Sequence, residues 1–254
     1  MLADQVVYKY STSEKTRAST LEGVAMTENP TFAKTRISPS DLTFLWGDCR
    51  RCFWLRYRHG VSHTGIFPGL VTVLSAKQEG WYEGKTSRDF STALPTGVVH
   101  STGLMLHSAP IVVDDRETPF TVGGKYDFLL EYEDGTFGIV DTKIVGKAGD
   151  KGDLYWPQLS AYEYLLANPK KGAPRIVSTL GLLVWSVADV HHDGETSPAI
   201  GFDIVYQPLA VDPPKFRSFI ADVVRVLEGP LPRAGERCNN CAYFDQRGKV
   251  GNEA

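Results

Sequence analysis

The stretch of residues 123–143, GGKYDFLLEYEDGTFGIVDTK, constrains the fold and chemistry of this chain more than any other. Two apolar, β-rich runs flank a Glu-Asp-Gly turn. Each run carries one carboxylate at an otherwise apolar position, Asp127 in the first and Asp141 in the second. Because side chains alternate along a strand, Asp141 and Lys143 lie on the same face. Two acids beside an ammonium can hold a hard divalent cation and steady a water molecule next to it.

The length of the turn decides whether the two carboxylates converge. A two-residue loop at 134–135 would pair Asp127 with the residue after Asp141 and point the two acids apart. A three-residue loop at 133–135, with its glycine left-handed, is a common hairpin form that places Asp127 opposite Asp141. We predict the three-residue loop and both carboxylates on one face. A surface hairpin with solvated acids is the alternative.

Four cysteines form two CxxC pairs, Cys49 with Cys52 and Cys238 with Cys241. No apolar segment typical of a secretory signal follows the N-terminus, so disulfides are the poorer interpretation. Two CxxC pairs predict a four-thiolate site for zinc or an iron–sulfur cluster, with unliganded thiols as a third possibility. The long gap between the pairs means that such a metal would tie the start of the domain to its end.

Several motifs resemble those of the PD-(D/E)XK nucleases, in particular the RecB-like branch that includes CRISPR-adaptation nucleases. The motifs are GKYD at 124–127, DTK at 141–143 and QLSAY at 158–162. With the cysteines, the resemblance spans residues 38–244. It implies a mixed α/β (α+β) fold, with a restriction-endonuclease-like core of a central mixed sheet flanked by helices. A four-cysteine metal site would tie its ends together.

The resemblance also implies an activity, the metal-dependent hydrolysis of DNA phosphodiesters. The substrate would be single-stranded or end-containing DNA in repair, recombination or defence. Asp127, Asp141 and the backbone carbonyl of Thr142 would hold Mg²⁺ or Mn²⁺. Lys143 would position the attacking water or help to deprotonate it.

The resemblance further favours a 4Fe–4S cluster on the cysteines. Relatives with such a cluster usually place one cysteine upstream of the nuclease core and three downstream. The two-plus-two division in this chain departs from that pattern and keeps zinc open, since soft thiolate sites accept either metal.

Two further parts of the predicted site lie on helices. Gln158 and Tyr162 are four residues apart on a predicted helix and are therefore neighbours on one face. The resemblance implies that they touch the substrate or orient the catalytic groups, whereas an ordinary amphipathic helix is the alternative. Glu79, and less so Glu83, is our candidate for an upstream helical group that helps to ligate the metal.

The composition changes along the chain and predicts its organisation. Residues 1–36 are polar and lack clear periodicity, so we predict a poorly ordered N-terminal extension. Residues 37–245 would form a single nuclease domain that includes the four-cysteine site, and 246–254 a flexible tail. The longest apolar run, 176–190, is broken by polar residues and predicts a buried strand, not a membrane span. We therefore expect a cytoplasmic protein that has no membrane partner.

Local patterns predict the order of helices and strands. Ser38 and Pro39 start a helix that would run to Tyr57. Further helices are predicted at 69–84, 154–167 and from 212 to 228. Strands are predicted at 97–113 (one or two strands), 121–132, 136–145, 175–188 and 200–209.

The charge of the chain limits how it can contact nucleic acid. A net charge of −3 means that DNA binding must come from local basic patches. Arginines and aromatic residues alternate beside the first CxxC pair, in 50–59, a combination that suits single-stranded DNA. For the rings at 53 and 54 we favour core packing, and for the arginines we favour nucleic acid.

Other functions remain open from the sequence. The first is a non-catalytic nucleic-acid-binding or adaptor subunit with a nuclease-like fold, docked in a larger repair or CRISPR-type complex. The second is a redox or iron–sulfur sensor. The intact Asp-Thr-Lys motif at 141–143 argues against the non-catalytic interpretation.

Overall fold

The computed structural model describes residues 31–62, 69–147, 149–192 and 198–251. The helices are α1 (Pro39–Thr43), α2 (Leu45–Asp48), α3 (Arg50–His59), α4 (Gly69–Tyr82), α5 (Gly152–Ala167), α6 (Pro213–Glu228) and α7 (Asn239–Gly251). The strands are β1 (Arg36–Ile37), β2 (Gly97–Thr102), β3 (Met105–His107), β4 (Val112–Val113), β5 (Arg116–Glu117), β6 (Thr121–Lys125), β7 (Phe128–Tyr132), β8 (Phe137–Val145), β9 (Val177–His192) and β10 (Pro198–Leu209).

The largest sheet is mixed, with the strand order β10-β9-β8-β7-β2. Strands β8 and β9 are parallel, and the other neighbours are antiparallel. A second mixed sheet has the order β1-β6-β3, and β4 pairs with β5 in a small ribbon. The parallel pair needs a crossover, and α5 supplies it.

Helices flank both faces of the large sheet, so the mixed α/β class is confirmed. On β8, Ile139 belongs to the larger core, which also contains residues of α5 and α6. The next residue, Val140, belongs to a smaller core with Tyr82 of α4. Because side chains alternate along a strand, Asp141 lies on the α5 face.

The predicted three-residue hairpin loop is confirmed. Strands β7 and β8 pair Phe128 with Val140 and Glu131 with Phe137, the register that sets Asp127 opposite Asp141. Gly135 has a φ of +79°, in the left-handed region where glycine avoids a steric penalty.

Three predicted elements are interrupted. The segment predicted as one or two strands over 97–113 contains β2, β3 and β4, which belong to three different sheets. The strand predicted over 121–132 divides into β6 and β7, which belong to different sheets, and Asp127 lies at the junction. The helix predicted from Ser38 to Tyr57 is also wrong as one element, since it divides into α1, α2 and α3. Cys49 separates α2 from α3 in an extended conformation with φ −161° and ψ 108°. Its sulfur accepts a hydrogen bond from the backbone nitrogen of Gly235, a tertiary contact that outweighs helical continuity.

The chain from Thr31 onward forms one compact unit. Residues 31–36 of the predicted extension belong to it, because the backbone nitrogens of Ala33 and Lys34 donate to carbonyls of α3. Residues 1–30 lie outside the described ranges. Helix α7 runs to Gly251, beyond the predicted start of the tail at 246. In the described ranges, no helix has both the length and the apolar character of a membrane span.

Candidate active site and metal centre

The two predicted acids meet where the chain passes from the second sheet to the large one. Asp141 lies within β8 and is only 1% exposed. Asp127 immediately precedes β7 and is partly exposed. The hairpin register sets Asp127 opposite Asp141, and its charge acts on Asp141. Asp141 contacts α5 through Gln158, whereas the carboxylate of Asp127 bonds Thr142.

Thr142 fixes the carboxylate of Asp127. The Oδ2 atom of Asp127 accepts the backbone N–H of Thr142 at 2.7 Å and its hydroxyl at 2.9 Å. Thr142, whose carbonyl is predicted to be a metal ligand, thus orients the carboxylate of Asp127 through its two donors. The role of its carbonyl as a ligand stays a prediction.

Asp141 and Lys143 form a buried ion pair, in which the Lys143 ammonium contacts Oδ2 of Asp141. Burial raises the pKa of Asp141 to about 7, although the Lys143 charge opposes this rise, and the nearby charge of Asp127 adds to it. Burial by itself lowers the pKa of Lys143, but the charges of Asp141 and Asp127 outweigh it and raise that pKa. The site thus places two carboxyl groups, Asp127 and Asp141, near a single ammonium, that of Lys143.

Helix α5 covers the acids with polar groups. The Nε2 atom of Gln158 donates to Oδ1 of Asp141 at 3.2 Å and to the hydroxyl of Tyr162 at 3.1 Å. The Tyr162 hydroxyl donates in turn to the carbonyl of Lys125 at 2.9 Å. The two predicted helical residues therefore contact each other, and one of them contacts the acid.

Tyr155 is a site residue that the sequence analysis missed. The Lys143 ammonium lies 4.7 Å from the centre of its ring, within the range of a cation–π contact. Tyr155 precedes Gln158 by three residues on α5, so the helical spacing was a signal for it.

Glu79 is not brought together with the two acids. Its carboxylate pairs with the ammonium of Lys125 at 3.2 Å. In the described part of the chain, the only group of three or more histidine, cysteine or acidic ligands whose ligand atoms all lie within 4.8 Å is the cysteine quartet. Glu79 therefore lies against Lys125, which precedes Asp127 by two residues.

The donor set at the acids suits a hard divalent cation. Asp127 and Asp141 offer carboxylate oxygens, which Mg²⁺ and Mn²⁺ prefer. Asp141 has its pKa raised by burial, so a cation would stabilise its ionised form. The Oε1 atom of Gln158 is buried and accepts no hydrogen bond from the described residues.

The four cysteines come together at the junction of α2 and α3 and at the start of α7. The Sγ atoms of Cys49 and Cys241 are 3.8 Å apart, those of Cys52 and Cys238 3.5 Å, and those of Cys52 and Cys241 3.7 Å. All four sulfurs lie within 4.8 Å of one another, so the predicted metal site is confirmed as a group that could hold a metal ion.

The cysteine sites differ in how readily they ionise. Burial raises the pKa of the Cys49 thiol, but hydrogen bonds from the backbone of Gly235 and Cys52 outweigh it and lower that pKa to about 7. Burial raises the pKa of Cys241 to about 11. A metal bound to these sulfurs would displace their protons, because thiolates are the ligating form.

In the basic segment 50–59, aromatic rings are buried and arginines contact other parts of the protein. Phe53, Trp54 and Tyr57 are buried, which agrees with the core packing favoured for the first two. The Arg51 guanidinium donates to the carbonyl of Pro232 at 3.0 Å. The arginines at 50 and 58 stack on aromatic rings, and Arg56 pairs with Asp41 at 3.0 Å.

Comparisons with known proteins add little to this geometry. No family model and no curated protein matches the chain. A solved structure described as "Crystal structure of SSO0001" aligns with a TM-score of 0.44 and 14% sequence identity, covering 78% of this chain and 80% of that chain. A likeness of this extent is too slight to support an inference.

Proposed function

We propose that this protein is a Mg²⁺- or Mn²⁺-dependent deoxyribonuclease with the site pattern of the RecB-like PD-(D/E)XK nucleases. The observation that supports it best is the buried carboxylate of Asp141, which contacts both the Lys143 ammonium and the Gln158 amide. Burying an acid, a lysine and an amide in one place is costly unless the groups serve a ligand or a reaction.

Asp127 and Asp141 would hold the cation, which when bound supplies Lewis-acid polarisation of a phosphoryl oxygen and lowers the pKa of water. Lys143 would hold the attacking water through its ammonium and offset the negative charge that develops on the phosphate. The Tyr155 ring, whose centre lies 4.7 Å from the Lys143 ammonium, restricts where that ammonium can move.

Gln158 and Tyr162 would act as positioning residues. The bond from Gln158 to Oδ1 of Asp141 fixes one acid, as the two bonds from Thr142 fix the other. Holding both carboxylates before the substrate arrives reduces the reorganisation needed during the reaction. Single-stranded or end-containing DNA is the substrate class we propose.

For the cysteine site we propose a single tetrahedral metal ion, zinc, in place of the 4Fe–4S cluster. A metal with thiolates at 2.3 Å places them about 3.8 Å apart at the corners of a tetrahedron. Three of the sulfur separations, 3.5–3.8 Å, agree with that edge. A 4Fe–4S cluster binds each thiolate to a different iron and needs the sulfurs farther apart.

The metal is tested on anaerobically purified protein by metal analysis and absorption spectroscopy. We expect one zinc per chain and no absorbance near 400 nm. Stoichiometric iron with a brown colour would overturn zinc in favour of the cluster. A site of four reduced cysteines is typical of a reducing compartment, which supports a cytoplasmic location.

The nuclease proposal is tested with labelled linear and circular single-stranded DNA, with and without Mg²⁺ or Mn²⁺. We expect cleavage that depends on the cation and that Asp127→Asn abolishes. The matched control is Asp150→Asn, which changes an exposed acid in the loop before α5. DNA binding by the wild type with no cleavage under any cation would favour the non-catalytic nucleic-acid-binding or adaptor function in a repair or CRISPR-type complex.

A further inference from the structure

A polar cavity of about 590 Å³ adjoins the candidate active site. It lies between the segment that leads into α1 and the edge of β6. Tyr162 is part of its wall, together with Lys125 and the backbone of Gly123 and Gly124. It is therefore separate from the acid pair but shares a residue with that site.

The wall of this cavity carries more positive than negative charge. Four cationic side chains and one acid, Asp41, line it, and Glu79, which is not part of the lining, pairs with one of the cations, Lys125, at 3.2 Å. Asp41 is already engaged by Arg56 at 3.0 Å and by the hydroxyl of Tyr57 at 2.8 Å. The four cationic residues are Lys34, Arg36, Arg56 and Lys125.

Two of these cations have no ion-pair partner among the described residues. In the described ranges, no carboxylate lies within 4 Å of the Lys34 ammonium or the Arg36 guanidinium, and both side chains are exposed. The hydroxyls of Ser38 and Ser40, 2.8 Å apart, add hydrogen-bonding groups to the same wall. Unpaired cations with hydroxyls are suited to phosphate oxygens.

The glycines of β6 keep this wall in place. A Cβ on Gly123 would lie 2.5 Å from Cδ of Arg36, and a Cβ on Gly124 would lie 2.6 Å from Cδ of Pro39. Only glycine allows the stem of Arg36 and the start of α1 to approach the strand so closely. The aliphatic stem of Arg36 thus packs closely on Gly123.

A chain of hydrogen bonds links the cavity to the acids. The Tyr162 hydroxyl, in the cavity wall, bonds the carbonyl of Lys125 and the amide of Gln158, which bonds Asp141. Lys125, which is also in the cavity wall, precedes Asp127 by two residues. The cavity is therefore placed to hold a neighbouring phosphate of the strand that the acids would cut.

We propose that this cavity is a phosphate-binding subsite for single-stranded DNA, in which Lys34 and Arg36 contact the sugar–phosphate backbone. The inference rests on the proposed nuclease function and adds the residues that hold the substrate. Because these contacts are to phosphate, they would be insensitive to base sequence.

The test is the salt dependence of binding to a fluorescent oligothymidine in buffer without added divalent cation. Each phosphate contact on a single strand contributes about 0.7 to the slope of log K against log salt. The double variant Lys34→Gln/Arg36→Gln, which keeps both stems, should lower the magnitude of that slope by about 1.4 between roughly 50 and 200 mM salt. Arg36→Lys in the Lys34→Gln background should restore about half of the difference.

A matched control is Lys249→Gln, which removes an exposed cation on α7, outside the cavity wall. It should leave the slope unchanged. With Mg²⁺ present, the double variant should raise KM for DNA and keep kcat within about twofold, since uniform binding is lost.

Two failures are distinguishable. If wild-type protein binds and cleaves DNA but the double variant has the wild-type slope and KM, the subsite is wrong and the nuclease function stands. If wild-type protein neither binds nor cleaves DNA, the proposed function is overturned and the subsite with it.

Discussion

Both donors of Thr142, its backbone nitrogen and its hydroxyl, bond the same oxygen of Asp127, at 2.7 and 2.9 Å. This arrangement joins the chain just before β7 to β8 at the point where the two strands stop pairing. It holds Asp127 next to Asp141, and both bonds from Thr142 go to Oδ2 of Asp127, not to Oδ1. Thr142, which lies between Asp141 and Lys143, therefore has a structural role, because it orients the carboxylate of Asp127.

Replacing Thr142 by valine should weaken metal-dependent cleavage without abolishing it. The substitution removes the hydroxyl bond and keeps the backbone bond, so Asp127 loses about half of its support. We expect a higher Mn²⁺ concentration for half-maximal cleavage and a rate roughly tenfold lower, an effect typical of losing a group that supports a metal ligand. Thr142→Ser, which keeps the hydroxyl, should behave like wild type. Equal rates for the valine variant and wild type at all Mn²⁺ concentrations would contradict this role.

Cation binding at the acids should depend on pH. The pKa of Asp141 is raised to about 7 by burial, and a proton competes with the cation for its ionised form. Affinity for Mn²⁺ should therefore fall up to about tenfold per pH unit below pH 7 and level off above it. Calorimetric titrations of metal-free protein between about pH 5.5 and 8.5 measure this. A pH-independent affinity would show that this carboxylate does not bind the cation.

Removing the Tyr162 hydroxyl should lower the free energy of unfolding. Tyr162→Phe leaves the carbonyl of Lys125 without its donor, and the amide of Gln158 without one of its acceptors. We expect a loss of about 1 kcal/mol in the free energy of unfolding, measured by urea titration. The matched control is Tyr164→Phe on the same helix, whose hydroxyl makes no hydrogen bond in the described part of the chain. Equal losses for both variants would mean that the Tyr162 bonds contribute nothing specific.

The cysteine site should stabilise the whole compact unit. It joins α3 to α7, so the bound metal closes a loop from Cys52 to Cys238. Cys238→Ala should release the metal and lower the free energy of unfolding by roughly 3 kcal/mol, the size typical of a cross-link over a long loop. Cys238→His offers an alternative zinc ligand and should recover part of that stability. A Cys238→Ala variant that keeps its metal and its melting temperature would contradict a role for this ligand.

The hairpin could be read from the sequence because its determinants are local. Gly135 stands at the third position of the loop, and the apolar residues on either side leave one register that buries both strands. The helices from α4 to α6 also follow local signals, such as Asp212, whose side chain caps α6 by accepting from the nitrogen of Lys215. The four cysteines were identified by spacing alone.

Tertiary contacts decide the parts that sequence patterns missed. Nothing local marks residues 126–127 as the place where one sheet ends and another begins, and the Tyr126 ring is buried in the larger core. The break at Cys49 depends on Gly235 and Cys241, far along the chain. Glu79 satisfied the expected sequence position but lies against Lys125, because the lysine offers a direct countercharge.

The most direct test of the proposed chemistry is the rate at which Lys143→Ala cleaves labelled single-stranded DNA in Mn²⁺ under single-turnover conditions. The control is Lys147→Ala, which removes an exposed lysine four residues away. We predict that Lys143→Ala cuts at least about a hundredfold more slowly than wild type while it still binds DNA, and that Lys147→Ala cuts at the wild-type rate. Undiminished cleavage by Lys143→Ala would contradict the assignment of the active site.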